Sequence, residues 1–231
     1  MSFEQKNVPK TESTAYERSL ALQLQQALLQ ISQYAQAGDG NNTVIETTAR
    51  RTLDLIDCYL MGSSSPNQLR LQLEPVALGS IVQDAMHQLS SAARQYDCQL
   101  WLKSSGKTDL VYTDKAVAKM AFVGLGHSLI EEAANRDESR RVVFAIKPHS
   151  NGPMAGVFSS GMAIRSRSLH QLKALRGQAT RQSGDFSGTA TGVVLADKLL
   201  DRIDRQLFAT SFQRLKGFAV TFDKSTQLQI V

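Results

Sequence analysis

Hydrophobic and polar positions divide the chain into two unlike stretches. Near the N-terminus, apolar residues recur every three or four positions, at Tyr16, Leu20, Leu24, Ala27/Leu28, Ile31 and Tyr34/Ala35, a single stripe along a helix. Thr14-Ala-Tyr-Glu17 can open that helix as a capping box, the hydroxyl accepting from the amide of Glu17 while the carboxylate reaches back. Two glycines in Ala37-Gly-Asp-Gly40 end it, because a C-cap favours left-handed backbone. A second box, Thr43-Val-Ile-Glu46, opens another helix with Val44, Thr48, Leu55, Ile56, Tyr59 and Leu60 on its stripe, and Met61-Gly-Ser-Ser-Ser-Pro66 closes it. The expectation is an antiparallel helical hairpin over residues 1–63. Two helices alone cannot enclose a core, and Leu22, Leu29 and Ile45 fall off the stripe. Two hairpins around a twofold axis, a four-helix bundle in a homodimer, would hide them; the rest of the chain folding back over them is the alternative.

Beyond Ser64 the period changes. Leu69-Arg-Leu71-Gln-Leu73 alternates as a strand does, and 77–96 carries a helical pattern. Strands are expected at Cys98–Leu102 and Leu110–Tyr112, and Asp114 is placed to cap a long helix running to Ala134. Val142–Ile146 and Gly156–Phe158 follow as strands joined through Pro148–Gly152, then a loop with a short helix over 161–180. A helix over 193–205 and strands at 207–211, 218–222 and 228–231 complete the pattern. This order predicts an α+β chain, the hairpin (1–63) followed by an α/β sandwich (64–231) with helices on one face of a mixed sheet.

Composition narrows the class. With 231 residues, 42% apolar and 20% charged, the chain is globular rather than disordered or fibrous. No apolar run approaches the roughly 20 residues of a membrane span, and the N-terminus has no hydrophobic signal core, so a cytoplasmic protein with no membrane partner is expected. Cys58 and Cys98 have no Cys or His at ligand spacing and read as core residues, giving no metal site. The net charge of +5 is uneven: residues 1–62 hold five basic and seven acidic side chains, whereas 136–182 hold nine basic and two acidic. Within that basic segment Arg165, Arg167, Lys173 and Arg176 are candidate contacts for an anionic partner. Aromatics are 6% of the chain and none interleave with these cations, which makes nucleic acid the weaker option.

The remaining candidates for chemistry are few. His87 reads as a surface histidine, His127 as a helix-surface pair with Glu131 at i+4, His149 as a turn residue, and His170 as a possible anion contact among Arg165, Arg167 and Lys173. None has the company of a catalytic centre, so no catalytic residue is assigned. Trp101, in a strand, reads as core.

In the order of its elements the chain resembles the cytoplasmic half of a sensor histidine kinase, a dimerising hairpin followed by the ATP-binding fold shared with gyrase, Hsp90 and MutL. Leu71-Gln-Leu-Glu-Pro-Val-Ala-Leu78 is similar to the segment that opens the kinase ATP-binding domain, and Ser211-Phe-Gln-Arg-Leu-Lys-Gly217-Phe-Ala-Val-Thr-Phe222 to the one that closes it. The family's motifs are then eroded one by one. Where the phosphoacceptor box H-E-L-R-T-P-L belongs, the chain reads Leu22-Gln-Leu-Gln-Gln-Ala-Leu28, and residues 1–86 contain no histidine. A leucine has no lone pair with which to attack a phosphoryl group. The asparagine that holds magnesium in the family corresponds to Ser128 or Glu132. The adenine-reading aspartate of D-x-G-x-G corresponds to Ser159, followed by Gly161. The phosphate loop is represented by Gly188-Thr-Ala-Thr-Gly192, and a helix N-terminus behind small residues can still take an anion.

The resemblance extends to kinase-derived histidine phosphotransferases, dimers that relay phosphate between response regulators and no longer bind ATP. It implies a pseudokinase-like signalling protein, with Leu22, Gln23, Gln25, Gln26 and Leu29 as the docking face for a response-regulator receiver domain or a histidine kinase. No cofactor is implied, and residual ATP or magnesium binding is not expected. The alternatives are an unorthodox phosphotransferase or kinase acting through another residue, and an anion or nucleotide sensor using Gly188 to Gly192.

Overall fold

The computed structural model describes residues 14–37, 42–63, 70–106, 110–135, 140–160 and 189–225; of 14–19 and 189–190 only the backbone is described. Helices α1 (Thr14–Gln36) and α2 (Asn42–Ser63) form the hairpin. Strand β1 (Leu73–Ala77) and helix α3 (Leu78–Gln95) follow, then β2 (Gln99–Ser104), β3 (Leu110–Asp114) and α4 (Lys115–Ala134). The chain continues through β4 (Arg141–Lys147), β5 (Met154–Ser159), α5 (Thr189–Arg202), β6 (Phe208–Phe212) and β7 (Leu215–Thr221).

The expected mixed sheet is present, five strands in the order β2-β4-β5-β7-β6, parallel between β2 and β4 and antiparallel elsewhere. β1 and β3 make a separate antiparallel pair. The opening strand is displaced from the alternating Leu69–Leu73 to Leu73–Ala77, a segment that includes Pro75. Proline is tolerated there because β1 has a partner on one side alone among the described residues. The strand expected at 228–231 and the short helix in 161–180 lie outside the described residues.

Helix α4 is the centre of the fold. Its sequence, Lys115-Ala-Val-Ala-Lys-Met-Ala-Phe-Val-Gly-Leu-Gly-His-Ser-Leu-Ile, is apolar or small on nearly every side, the mark of a helix with neighbours all round. Asp114 caps it as expected, its carboxylate accepting from the Val117 amide at 3.0 Å. α3, α4 and α5 cover one face of the sheet, and Phe122, Phe144, Phe218 and Phe222 fill the space between. On the opposite face Val143, Ala145, Met154, Phe158, Leu215 and Ala219 form a second, smaller cluster. β2 is an edge strand, and Trp101, expected in the core, is 47% exposed on it.

The hairpin is not a free pair of helices. α2 packs against α3, α4 and α5, and Leu20, Leu55 and Cys58 belong to the same core as α4. The inner side of the hairpin is thus closed by the rest of the chain, but the chain does not fold back over Leu22 and Leu29, the residues whose cover was weighed above as the alternative to dimerisation; Ile45 is half-buried. Its outer side stays open: Leu22, Leu28, Leu29, Leu53 and Leu60 are each more than half exposed. Leu28 and Leu60, read as stripe residues, are on the outside because the burial line runs instead through Leu20 and Leu24 on α1 and through Thr48, Leu55 and Cys58 on α2.

Candidate functional site

Three of the positions that the resemblance assigns to a nucleotide site are buried by packing. Ser128 on α4 and Ser159 at the end of β5 are 2% and 0% exposed, and Gly192 on α5 is buried with them. Gly192 lies directly over α4: a Cβ there would collide with the Ser128 hydroxyl and with the backbone carbonyl of Gly124. A Cβ at Gly124 would in turn stand 3.1 Å from the Gly192 carbonyl. These glycines are what lets two helices touch backbone to backbone, a reason for glycine that involves no phosphate. Glu132 is half-buried on α4. Gly161, Gly188, Arg165, Arg167, Lys173, Arg176 and His170 lie outside the described residues.

The polar chemistry of the described residues gathers elsewhere, where α2 meets α3 and α4. Arg51, Asp54, Leu55 and Cys58 share one face of α2 by their three-four spacing. His127, expected as a surface partner of Glu131, is 5% exposed and faces α2 instead, with its Nε2 2.9 Å from Asp54 Oδ2. The reason is that α4 has no outer face at that turn. The second oxygen of Asp54 accepts from Gln88 Nε2 of α3 at 2.7 Å, so one buried carboxylate ties three helices together. Glu131 is ion-paired with Arg51, and Arg51 Nη1 also donates to the Tyr96 hydroxyl at 2.9 Å.

Burial pushes the His127 imidazole below its ordinary value of 6.5, against the attraction of Asp54, so it sits there as a neutral ring donating to the carboxylate. Burial likewise pushes the Cys58 thiol up to about 12 and that of Cys98 to about 11, which leaves neither as a thiolate at neutral pH. Cys58 instead points at the Met120 carbonyl, 3.5 Å away, as part of the core. Among the described residues no group of three His, Cys, Asp or Glu side chains is arranged to hold a metal ion, and no described helix is long and apolar enough to cross a membrane.

Of the five candidate docking residues, Leu22, Gln25, Gln26 and Leu29 are exposed on α1, whereas Gln23 is half-buried and turned toward the joint with α2. His87 and His149 are on the surface as expected. Arg51, Asp54, Gln88 and Tyr96 were not legible as a group. Their one sequence signal is an aspartate on the stripe of α2, next to Leu55, where a charge requires a partner.

No protein-family model and no curated protein matches the sequence. Solved structures match in fold. The catalytic domain of the histidine kinase ThkA superposes with a TM-score of 0.53 at 13% identity, over 67% of this chain and 99% of that one. ThkA in complex with the response regulator TrrA gives 0.59 at 11% identity, over 95% of this chain and 68% of that one. The Acinetobacter baumannii histidine kinase AdeS gives 0.51 at 14%, over 90% and 97%. The second of these spans the hairpin as well as the sandwich, since it covers nearly the whole chain. The fold is therefore that of histidine-kinase catalytic regions, an α+β architecture in which a helical hairpin precedes an ATPase-like sandwich.

Proposed function

We propose that this protein is a non-enzymatic modulator of two-component signalling that docks a response-regulator receiver domain, or a histidine kinase, through the outward side of its hairpin. The observation that carries the reading is the exposed face of α1, where Leu22 and Leu29 are 52% and 55% exposed and flank Gln25 and Gln26. Single surface leucines are ordinary, but Leu22 and Leu29, seven positions apart, share one face of α1, and Leu53 and Leu60 share one face of α2, a repetition suited to contact with another protein. Leu53 and Leu60 on α2 would serve a second copy of the chain, giving a homodimer with a four-helix bundle. A response regulator is the partner named for the ThkA neighbour, which supports the class of partner chosen here.

Chemistry on the hairpin and at the end of β5 supports the non-enzymatic part of this reading. With no histidine before His87, the hairpin has no imidazole to accept phosphate, and Ser159 offers no charged acceptor to an adenine amino group. The test is titration of the full-length protein with receiver domains and kinases from the same cell, alongside incubation with a phosphorylated receiver. Saturable binding that is lost in a Leu22→Ser/Leu29→Ser variant, with no phosphate left on this chain, is the expected result. Failure of every receiver and kinase to bind removes the docking role. A stable phospho-adduct on the chain replaces it with the phosphotransferase reading.

A further inference from the structure

We infer that the free edge of β2 is a docking site for an extended acidic segment of a partner protein, which adds to the sheet as a further strand. Among the described residues β2 pairs with β4 alone. The bonds at the two ends of that ladder set its phase: the Gln99 amide donates to the Arg140 carbonyl at 2.8 Å, and the Ser105 amide to the Ile146 carbonyl at 2.9 Å. Alternate residues of a paired strand turn their backbone groups to the same neighbour. The odd-numbered residues of β2 therefore face β4, and Leu100, Leu102 and Ser104 turn their N–H and C=O groups outward. A row of donors and acceptors at that spacing is matched by the main chain of another extended segment.

The side chains select the character of that segment. Trp101 is 47% exposed, and the register with β4 puts it on the same face of the sheet as Lys103, Arg141 and Lys147. No Asp or Glu occurs in any of the five strands, and no carboxylate among the described residues pairs with these three cations. Lys103 donates to the neutral side chain of Gln213 at 2.9 Å, and Asp97, just before β2, stands 3.8 Å from Arg140 instead. On the other face of β2, Leu100 and Leu102 are half-buried against the main core. An added strand fits when its side chains alternate, with carboxylates beside Lys103 and Arg141 on the Trp101 face and aliphatic groups beside Leu100 and Leu102 on the other. An anionic lipid or a nucleic acid would meet the cations and leave the outward amides and carbonyls unmatched. This surface belongs to the sheet and does not depend on the docking role assigned to the outer leucines of the hairpin.

Trp101 is the one tryptophan of the chain, so its emission reports on this edge. The experiment titrates the full-length protein with end-blocked peptides of about ten residues, the upper range of strand lengths, that alternate Glu with Val or Lys with Val. The Glu-Val peptide should shift the tryptophan emission to the blue, saturably at submillimolar concentration and more weakly as salt is raised, while the Lys-Val peptide leaves it unchanged. Lys103→Glu combined with Arg141→Glu should exchange the two responses, a result that a misfolded variant cannot give. Ser104→Pro removes one outward N–H at an exposed position, spares the ladder to β4, and should weaken binding about tenfold. If the Glu-Val peptide gives no saturable shift, if the charge reversal leaves the preference as it was, if Ser104→Pro binds like the parent, or if vesicles of anionic phospholipid reproduce the shift, the proposal falls.

Discussion

The two sides of the hairpin are built from similar stripes and end in opposite surroundings. Inward, Leu20, Leu55 and Cys58 share a core with α4, and Asp54 and Arg51 fix the pose through His127, Gln88, Tyr96 and Glu131. Outward, Leu22, Leu28, Leu29, Leu53 and Leu60 face solvent. The difference lies in the polar residues between the leucines. A buried carboxylate with two donors tolerates one orientation of its partners, so the inner side specifies a single intramolecular fit. The outer side has glutamines and no such lock, and its leucines stay exposed.

Breaking the inner lock should have the largest effect. Asp54→Ala strands both the His127 ring and the Gln88 amide in a region where Asp54 and His127 are at most 6% exposed, and should cost about 3 kcal/mol in urea denaturation. A loss under about 1 kcal/mol would mean that water reaches the joint and that the hairpin is not fastened. Gly192→Ala comes next, at about 2 kcal/mol, because its methyl group must push Gly124 and Ser128 away and drive α5 off α4. Full stability in that variant would show that α4 and α5 are spaced widely enough for a ligand between them.

A titration sharpens the same contrast. Because burial holds the folded-state value of His127 below 6.5, the unfolded chain takes up a proton first as pH falls. The stability tied to this ring is complete above about pH 6.5 and declines below it toward the folded-state value, by at most about 1.4 kcal/mol per pH unit. Asp54 and Gln88 face the ring from α2 and α3, and Arg51 adds positive charge that opposes protonation. Denaturation midpoints measured at steps between pH 7.5 and 5 should fall less steeply in His127→Gln than in the parent. Identical slopes would mean that the ring titrates alike in the folded and unfolded chains, and a parent that falls less steeply than His127→Gln would mean that it is charged in the native protein.

How much of this was legible depends on how local the cause was. The Asp114 cap and the end of α4 at Ala134 were readable because both are settled within a few residues. The strand expected at 207–211 lies one residue early and that expected at 218–222 begins three residues late, because the hairpin turns tightly through Gln213 and Arg214, both with positive φ, where the usual Asn-Gly signature is missing. Trp101 was misplaced because nothing in its own segment says that β2 is an edge strand. The candidate site failed for a similar reason. The partner of His127 is 73 residues away on α2, so an i+4 glutamate looked like the better choice. Ser128 and Ser159 stand where the resembled motifs carry other residues and Gly192 is a glycine those motifs keep, while the burial of all three is a tertiary fact that no spacing contains.

The smallest effect on stability is expected at the outer face, and it decides most about function. Leu22→Ser and Leu29→Ser remove side chains already more than half in water, so each should change unfolding free energy by no more than about 0.5 kcal/mol. Made together, the same substitutions should abolish capture of a receiver domain, because they remove the apolar area that such a contact would bury on α1. Leu53→Ser and Leu60→Ser should leave receiver binding in place and shift the protein from dimer to monomer in sedimentation. If a serine at 22 or 29 instead lowers stability by about 2 kcal/mol, these leucines are covered within the chain itself. The hairpin would then have two inner faces, and the contrast from which its docking role was argued would disappear.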